Sequence, residues 1–326
     1  MVHRRAALLV HVQQDRRLTV ADLRHRLAFL AMRVAMATVG AMPFRLAIWL
    51  GASAGRMFAM LGTNRREMVR RHARRLSVPE TALDRHVRDV FAGYGRYWAE
   101  ALWMRPRRRA EIERGTSTEG LEHIIAARDA GTGMIYALPH LGNWEYAAPV
   151  AAALGIEVVA VAENLRNPYI REWFVWLRNE LDISIVLATG SAQVMRALED
   201  AIGRQAAVAL LCDRDLRGRG VPVEFFGEET TIPGGPISLA MRTGAPVFPV
   251  ASYFDGRGHR VVVHPALEIP PGEDRSTRLR LGTQRLARSL EELILSAPEQ
   301  WHLLQPNWPS DRRGLDEAIG RDEAAP

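Results

Sequence analysis

From residue 120 onward, short apolar segments alternate with segments of helical periodicity, and this alternation restricts the fold more than any other feature. A chain that alternates strand and helix in this way forms a largely parallel sheet covered by helices. The segment 207–211 is apolar at every position, as expected of a strand buried on both faces. The sequence therefore predicts an α/β fold with a mostly parallel central sheet flanked by helices. The predicted strands are 134–138, 157–162, 183–187, 206–211, 247–253 and 260–264, and the predicted helices are 121–130, 144–154, 168–180, 192–203, 236–243 and 276–296.

The N-terminal third differs from the rest of the chain in charge. Residues 1–115 carry 23 arginines and nine acidic residues, a net charge of +14, whereas residues 116–326 carry 20 arginines and 28 acidic residues, a net charge of −8. This asymmetry predicts contact with a polyanion, either anionic lipid headgroups or nucleic acid. We expect three parts: a basic, partly apolar helical region at 1–115, an α/β catalytic domain at 116–311 and a polar tail at 312–326.

Residues 26–60 are the most hydrophobic part of the chain. The uncharged spans 34–44 and 46–55 are separated by Arg45, and neither approaches the ~20 apolar residues that a transmembrane helix needs. Pro43 argues against one straight helix. We therefore expect two helices lying at a membrane interface, with a helical subdomain packed on the body of the protein as the alternative.

The segments on either side of this apolar region are basic. Residues 64–75 hold six arginines on a predicted helix, which suits either attraction to anionic lipid or an ordinary solvated face. Residues 1–25 are basic and mixed and show no clear small-residue cleavage site, so we expect no cleaved signal peptide.

Composition excludes several classes of protein. Lysine is absent and all 43 basic residues are arginine, which excludes a Walker A phosphate loop and a Schiff-base lysine. The single cysteine, Cys212, excludes a disulfide framework and a zinc site built on cysteines. No cluster of histidine and acidic residues has the spacing of metal ligands, so we expect neither a metal nor a cofactor. Arginine forks or helix N-termini must bind any phosphate.

Polar side chains follow several of the predicted strands. His140 comes directly after the strand 134–138, and Glu145 follows it five residues later. Because parallel strands place their carboxyl ends at one edge of a sheet, residues distant in sequence converge there. A histidine beside a carboxylate is a natural general base, since the carboxylate fixes the tautomer and stabilises the imidazolium. The other candidates are Glu163, Arg178, Asp213, Arg214, Asp215 and, in the loop 231–236, Gly234 and Gly235.

Several of these candidates have a purely structural alternative. Glu163 is placed to cap the helix that follows it. Arg178 is placed to form a surface ion pair with Glu180 or Asp182. The glycine pair 234–235 is as consistent with a plain turn as with a loop held against a ligand.

The segment 140–145, HLGNWE, resembles the H-x4-D/E motif of the bacterial lipid A biosynthesis acyltransferase superfamily. Within that superfamily the chain looks most like the actinobacterial phosphatidylinositol mannoside acyltransferases. The resemblance extends from about residue 93 to residue 308 and implies a fold like that of the glycerolipid acyltransferases. It also includes GYGRYW at 93–98, LCDRDL at 211–216, FFG at 225–227 and WHLLQP at 301–306.

The resemblance implies roles for individual residues. His140 would take the proton of an acceptor hydroxyl, which then attacks an acyl thioester. Glu145 matches the acidic member of the motif, and Asp213 matches an acidic residue that pairs with the histidine, so either acid could orient the ring. His140 and Asp213 are the favoured dyad. Glu163 and Arg178 match polar pocket positions, where an arginine binds phosphate or stabilises charge on the thioester carbonyl. We expect the substrate cleft to include Arg214, Asp215, Gly234 and Gly235 as well.

The resemblance therefore predicts transfer of a fatty acyl group from acyl-CoA to a mannose hydroxyl of a phosphatidylinositol mannoside. Acyl-CoA, a phosphoglycolipid acceptor and the inner leaflet of the cell membrane are the expected partners, with no nucleic acid and no metal. The enzyme would be peripheral on the cytoplasmic face. One alternative is a lipid A-type or other glycolipid acyltransferase that uses acyl-CoA or acyl carrier protein. Another is a non-catalytic peripheral membrane or nucleic-acid-binding module.

Overall fold

A computed structural model describes residues 20–162, 167–187, 191–215 and 218–312. Four helices precede the first strand of the sheet, and a fifth, short helix leads into it. The helices are α1 (Val20–Ala41), α2 (Phe44–Leu61), α3 (Thr63–Arg75), α4 (Leu83–Trp103), α5 (Arg109–Arg114), α6 (Leu121–Asp129), α7 (Ala147–Ala153), α8 (Pro168–Asn179), α9 (Ser191–Gly203), α10 (Gly235–Thr243) and α11 (Arg275–Leu295). The strands are β1 (Thr116–Glu119), β2 (Met134–Leu138), β3 (Val158–Ala162), β4 (Ile183–Leu187), β5 (Ala207–Leu211), β6 (Val221–Phe225), β7 (Glu228–Ile232), β8 (Val247–Asp255) and β9 (Gly258–Val263).

Seven of these strands form one sheet in the order β1-β9-β8-β2-β5-β3-β4. Neighbouring strands are parallel except for the antiparallel pair β8–β9. The predicted α/β fold with a mostly parallel sheet is therefore confirmed. All six predicted strands are present, each with bounds within two residues of those expected.

The sequence interpretation missed β1 and the hairpin β6–β7. Strand β1 is short, polar and largely exposed at the sheet edge, so it carries no hydrophobic signal. The hairpin turns through Phe226 and Gly227, whose φ angles are +52° and +73°. Positive φ at both central residues of a two-residue loop matches the twist of antiparallel strands. The sequence predicts no strand here, because Phe-Gly is not one of the usual hairpin dipeptides.

Alternate residues of the central strands pack into two separate cores. In β2, Ile135 and Ala137 belong to the core beneath α9, α10 and α11. Met134, Tyr136 and Leu138 belong to the core on the other face, beneath α6, α7 and α8. A strand that is buried on both faces must be apolar throughout, which explains the continuous hydrophobic runs in the sequence.

The predicted break in the apolar N-terminal region lies between α1 and α2, where Pro43 precedes the second helix. Both helices pack on the body of the protein through one face. The guanidinium of Arg105 donates to the carbonyl of Met36 and that of Arg108 to the carbonyl of Gly40, so two arginines hold the C-terminal end of α1. Positive charge is favourable at this end of a helix.

Helix α2 approaches α4 closely because both helices carry glycine at the crossing. A Cβ atom at Gly55 would overlap the carbonyl oxygen of Phe91, and one at Gly95 would overlap the carbonyl oxygen of Gly51. The buried face of α2 otherwise carries small residues such as Ala47 and Ala59. Small residues at the contact let the two backbones meet, which is common where helices associate within or beside lipid.

Large apolar side chains lie on the outer faces of α1 and α2. On α1 they recur every three to four residues, as one stripe along the helix. They are Leu23, Leu27, Leu30 and Val34 on α1, and Leu46, Trp49, Leu50, Met57, Phe58, Met60 and Leu61 on α2. No single helix in the described ranges has the length and hydropathy to cross a membrane. Helix α2 and residues 64–75 meet those criteria only together, as a pair bent by 101°.

The arginine-rich helix α3 is largely neutralised within the protein. Arg70 pairs with Asp84, Arg74 with Glu80, and Arg75 with both Glu228 and Asp311. Arg71 lies near Glu67. Four of the six arginines expected to face lipid therefore have acidic partners in the chain itself.

The α2–α4 crossing generates a prediction about stability. Replacing glycine by alanine inside a helix normally stabilises it by about 1 kcal/mol. At Gly55 the added methyl group has no room, so Gly55→Ala should instead lower the free energy of unfolding by about 1–3 kcal/mol. Gly203→Ala is the matched control, because nothing lies within 4 Å of a Cβ at the end of α9. Urea unfolding of both variants checks this, and a Gly55→Ala protein as stable as the control would contradict the close approach.

Candidate active site

His140 and Asp213 meet at the carboxyl edge of the sheet. Strands β2 and β5 are parallel neighbours, and Leu138 pairs with Leu211 in their register. Each of the two polar residues lies two positions beyond its leucine, so the register brings them together. Nδ1 of His140 lies 2.6 Å from Oδ1 of Asp213, and the backbone N–H of His140 donates to Oδ2 at 3.0 Å.

The Asp213 carboxylate is fully buried and held from three sides. Besides the two contacts with His140, its Oδ2 accepts a hydrogen bond of 2.8 Å from the indole N–H of Trp301. Burial alone raises the pKa of the Asp213 carboxyl, but the charge and hydrogen bonds of His140 and the donor of Trp301 outweigh it and lower the pKa to about 2. The group is therefore ionised at neutral pH. An ionised partner accepts from Nδ1–H, which leaves Nε2 of His140 as the basic nitrogen.

Glu145 does not contact the imidazole. It lies in a 3-10 turn, Trp144–Tyr146, rather than in the predicted long helix, and its carboxylate binds Arg178 on α8. The shortest contact joins Nη2 of Arg178 to Oε1 of Glu145 at 2.6 Å. The alternative considered for Arg178, a surface ion pair with Glu180 or Asp182, is therefore absent from the described contacts. Burial lowers the pKa of Arg178, but Glu145 more than compensates and leaves that pKa above its usual value.

An apolar cavity opens beside this ion pair. Its floor is the face of the sheet that is covered by α7 and α8, and its lining includes the polar side chains of Trp144, Glu145 and Arg178. The floor includes the small residues Ala160 and Ala209, which leave space between the sheet and the helices. The remaining wall is made by Tyr136, Leu138, Ala147, Ala148, Val158, Val161, Ile183 and Leu211.

The other predicted site residues do not join this group in the described part of the chain. Glu163 lies outside the described residues. Arg214 donates to the side chain of Gln305 at 2.9 Å. Asp215 accepts from the backbone of Gly220 and from the hydroxyl of Thr231, so it ties the loop after β5 to the hairpin.

The two glycines of the loop 231–236 lie where the hairpin meets α10 and α11. A Cβ at Gly234 would approach Val221 on β6 and Leu279 on α11, so this glycine permits the close packing of the hairpin against α11. Gly235 begins α10, and nothing lies within 4 Å of a Cβ there. That these glycines line the substrate cleft stays a prediction.

Residues 300–302 bind the backbone of the turn that carries His140. The sequence predicted no role for His302. The backbone N–H of His302 donates to the carbonyl of His140 at 2.8 Å, and its ring Nε2 lies 2.9 Å from the carbonyl of Gly142. Gly142 has φ +55°, and a Cβ there would overlap the carbonyl oxygen of Ser252 on β8. Burial lowers the pKa of His302 to about 4, so its ring is neutral and donates from Nε2. The turn that carries His140 is thus held between β8 and the chain after α11.

The described residues contain no group of three or more histidine, cysteine or acidic side chains that is suited to a metal ion. The chemistry that this arrangement supports is proton transfer at Nε2 of His140, near an apolar cavity and a partly buried arginine–glutamate pair.

The contact between His140 and the buried Asp213 predicts a difference in unfolding free energy that depends on pH. The folded pKa of Asp213, about 2, is below its ordinary value, so the pair stabilises the protein above about pH 4 and loses that effect as the pH falls through about 2. Wild type should exceed Asp213→Asn by about 2–3 kcal/mol in unfolding free energy at neutral pH. Urea unfolding from pH 7 to pH 3 should show this advantage shrinking below about pH 4. An advantage that is unchanged at pH 3 would contradict the ionised pair.

Comparison with known proteins agrees with the resemblance seen in the sequence. Residues 16–310 match the family described as bacterial lipid A biosynthesis acyltransferase. The phosphatidylinositol mannoside acyltransferase of Mycolicibacterium smegmatis is 33% identical over 248 residues, 75% of this chain and 80% of that protein. That of Mycobacterium tuberculosis strain H37Rv is 35% identical over 243 residues, 73% of this chain and 75% of that protein. The chain is thus an acyltransferase and belongs to the bacterial lipid A biosynthesis acyltransferase family.

Proposed function

We propose that this enzyme transfers a fatty acyl group from acyl-CoA to a mannose hydroxyl of a phosphatidylinositol mannoside. The observation that carries the proposal is the His140–Asp213 pair in a chain of this family. The imidazole of His140 lies 5.3 Å, between ring centroids, from the indole of Trp144, which lines the apolar cavity. The printed names of the relatives supply the acceptor class, because they are phosphatidylinositol mannoside acyltransferases. Family and relatives together make it a glycolipid acyltransferase.

The proposed reaction is a direct transfer between two bound substrates. Nε2 of His140 accepts the proton of the acceptor hydroxyl while the hydroxyl oxygen attacks the thioester carbonyl. The carbon–sulfur bond then breaks, and the imidazolium returns its proton to the departing CoA thiolate. Asp213 stabilises the imidazolium that forms between these two steps. The scheme needs no covalent enzyme intermediate, and alignment of the substrates supplies much of the acceleration.

The apolar cavity is suited to the acyl chain of the donor. Its polar end lies at Glu145 and Arg178, and its interior wall is aliphatic apart from Tyr136. In the proposal, the thioester lies between this end and His140, and the chain extends along the sheet beneath α7 and α8. Arg178 would then stabilise negative charge that develops on the carbonyl oxygen.

The proposal includes attachment to the cytoplasmic face of the cell membrane through α1 and α2. The exposed stripe of α1 and the large side chains of α2 form an apolar surface that water does not favour. Four arginines on the same helices are exposed and have no ion pair among the described residues, which suits anionic lipid at about 1 kcal/mol each. They are Arg24, Arg33, Arg45 and Arg56.

A second glycolipid acceptor remains a specific alternative, because the family takes its name from lipid A biosynthesis. The donor carrier is the other open choice: acyl carrier protein would deliver the same thioester to the same histidine. The alternative of a non-catalytic module is excluded, because the chain is an acyltransferase.

The transfer assay tests the proposed function. Purified wild type should move radiolabelled palmitate from palmitoyl-CoA to phosphatidylinositol mannosides, and His140→Ala should do so at least ~100-fold more slowly, the scale expected when a general base is lost. Undiminished transfer by His140→Ala would remove the histidine from the mechanism. Donor hydrolysis by wild type without transfer would instead point to another glycolipid acceptor, which lipid A precursors and acyl carrier protein donors would identify.

Membrane attachment is tested separately with vesicles. Leu27→Gln together with Leu30→Gln should weaken binding to vesicles that contain anionic lipid by at least ~10-fold, because two leucines no longer enter the interface. Leu295→Gln is the matched control: this leucine of α11 is 52% exposed, against 55% and 56% for Leu27 and Leu30. Flotation with anionic and with neutral vesicles measures the effect. Equal binding by the double variant and the control would contradict attachment through α1.

A further inference from the structure

Glu100 is an acidic residue of α4 that the proposed chemistry does not use, yet it is completely buried. Its carboxylate accepts hydrogen bonds from three side chains. Arg96 donates to Oε1 at 2.7 Å, whereas Asn143 and His259 lie 2.8 and 2.9 Å from Oε2. A buried carboxylate with this many donors is costly to disturb, because each donor loses its partner if the charge is removed.

One of those donors belongs to the active-site turn. Asn143 is itself fully buried, and it follows His140 by three residues. While its amide nitrogen donates to Glu100, its Oδ1 accepts the backbone N–H of Glu145 at 3.2 Å. Asn143 therefore caps the short 3-10 turn Trp144–Tyr146 with one end of its side chain and is anchored by Glu100 with the other.

A second contact reaches the same turn through His259. The ring of Tyr146 stacks on the imidazole of His259, with centroids 3.5 Å apart, and that imidazole donates to Glu100. Burial raises the pKa of the Glu100 carboxyl, but His259, Arg96 and Asn143 outweigh it and leave that pKa below its ordinary value. Glu100 is thus an ionised acceptor that holds the turn at its N-cap, Asn143, and, through His259, at its last residue, Tyr146.

We propose that Glu100 is a positioning residue for catalysis: through Asn143 it holds the turn that aims Glu145 at Arg178, at the mouth of the acyl cavity. Glu100 does not touch substrate, and its effect passes through the hydrogen bond to Asn143. The activity side of this inference rests on the proposed function, whereas its structural side does not.

A reciprocal exchange of side chains isolates this hydrogen bond. Glutamine at position 100 presents one oxygen and one NH2 group. Its NH2 group must face the N–H donor of Arg96 on one side or the donors of Asn143 and His259 on the other, so hydrogen bonds are lost. Asp at position 143 alone places two buried carboxylates side by side. In the double variant Glu100→Gln/Asn143→Asp the glutamine NH2 donates one N–H to the aspartate. Its other N–H faces Nε2 of His259, which accepts it once the neutral ring carries its proton on Nδ1, so the groups are complementary again. Asp89→Asn is the control, since Asp89 is an acid of the same helix with only a loose pairing to Arg85 at 3.6 Å.

Two readouts apply to all four variants. Glu100→Gln and Asn143→Asp should each lower kcat for palmitoyl transfer by about 10- to 100-fold, as expected for a small misplacement near reacting groups, with the KM for palmitoyl-CoA changed less than about threefold. Amide hydrogen exchange should accelerate at residues 140–147 and not in the sheet. The double variant should recover both kcat and protection, and Asp89→Asn should resemble wild type.

Unchanged kcat in the single variants, or a double variant that is no better than its worse parent, would overturn the positioning role. A uniform increase in hydrogen exchange across the chain would also overturn it, because it would make Glu100 a general stabiliser. A wild type that neither transfers nor hydrolyses any acyl donor would refute the proposed function instead. The exchange pattern would then decide whether Glu100 holds the turn.

Discussion

The short contact between His140 and Asp213 depends on the register of two parallel strands. Because Leu138 pairs with Leu211, the residues two positions beyond each strand meet above the sheet edge. A shift of register by one residue would also turn every side chain of the strand to the other face and destroy both cores. The packing that stabilises the fold therefore also sets the geometry of the pair. The buried carboxylate of Asp213 is tolerated at this edge because His140 and Trp301 donate hydrogen bonds to it.

The turn between β2 and α7 is the second constraint, and elements from distant parts of the chain hold it. Helix α4 anchors Asn143 through Glu100, and residues 300–302 bind the backbone on both sides of Leu141. Helix α4 also carries the glycine contact with α2. Helix α4 thus supports both the active-site turn and the apolar helix α2. It links the proposed membrane surface to the proposed site.

Local pattern was enough to predict the sheet strands and the convergence of polar residues at one sheet edge, because hydrophobic runs mark buried strands and polar residues mark their ends. The pairing of His140 with Asp213 was implied only by the family resemblance. Pattern could not decide which acid faces the histidine, since that choice depends on strand order and on the 3-10 geometry that turns Glu145 toward Arg178. Glu100, Trp301 and His302 were missed as site residues because they come from elements far away in sequence. Asp215 and Gly234 contact the hairpin in this structure, and their place in the substrate cleft stays a prediction.

The central claim is that Asp213 acts through His140 as one proton-transfer unit. The most direct test measures palmitoyl transfer per enzyme by wild type, His140→Gln, Asp213→Asn and the double variant, each checked for folding. If Asp213 works only by orienting the ring and stabilising its charge, it has no function once the imidazole is gone. The account predicts that the double variant is no slower than His140→Gln alone. Losses that multiply in the double variant would contradict it, because Asp213 would then act independently of His140.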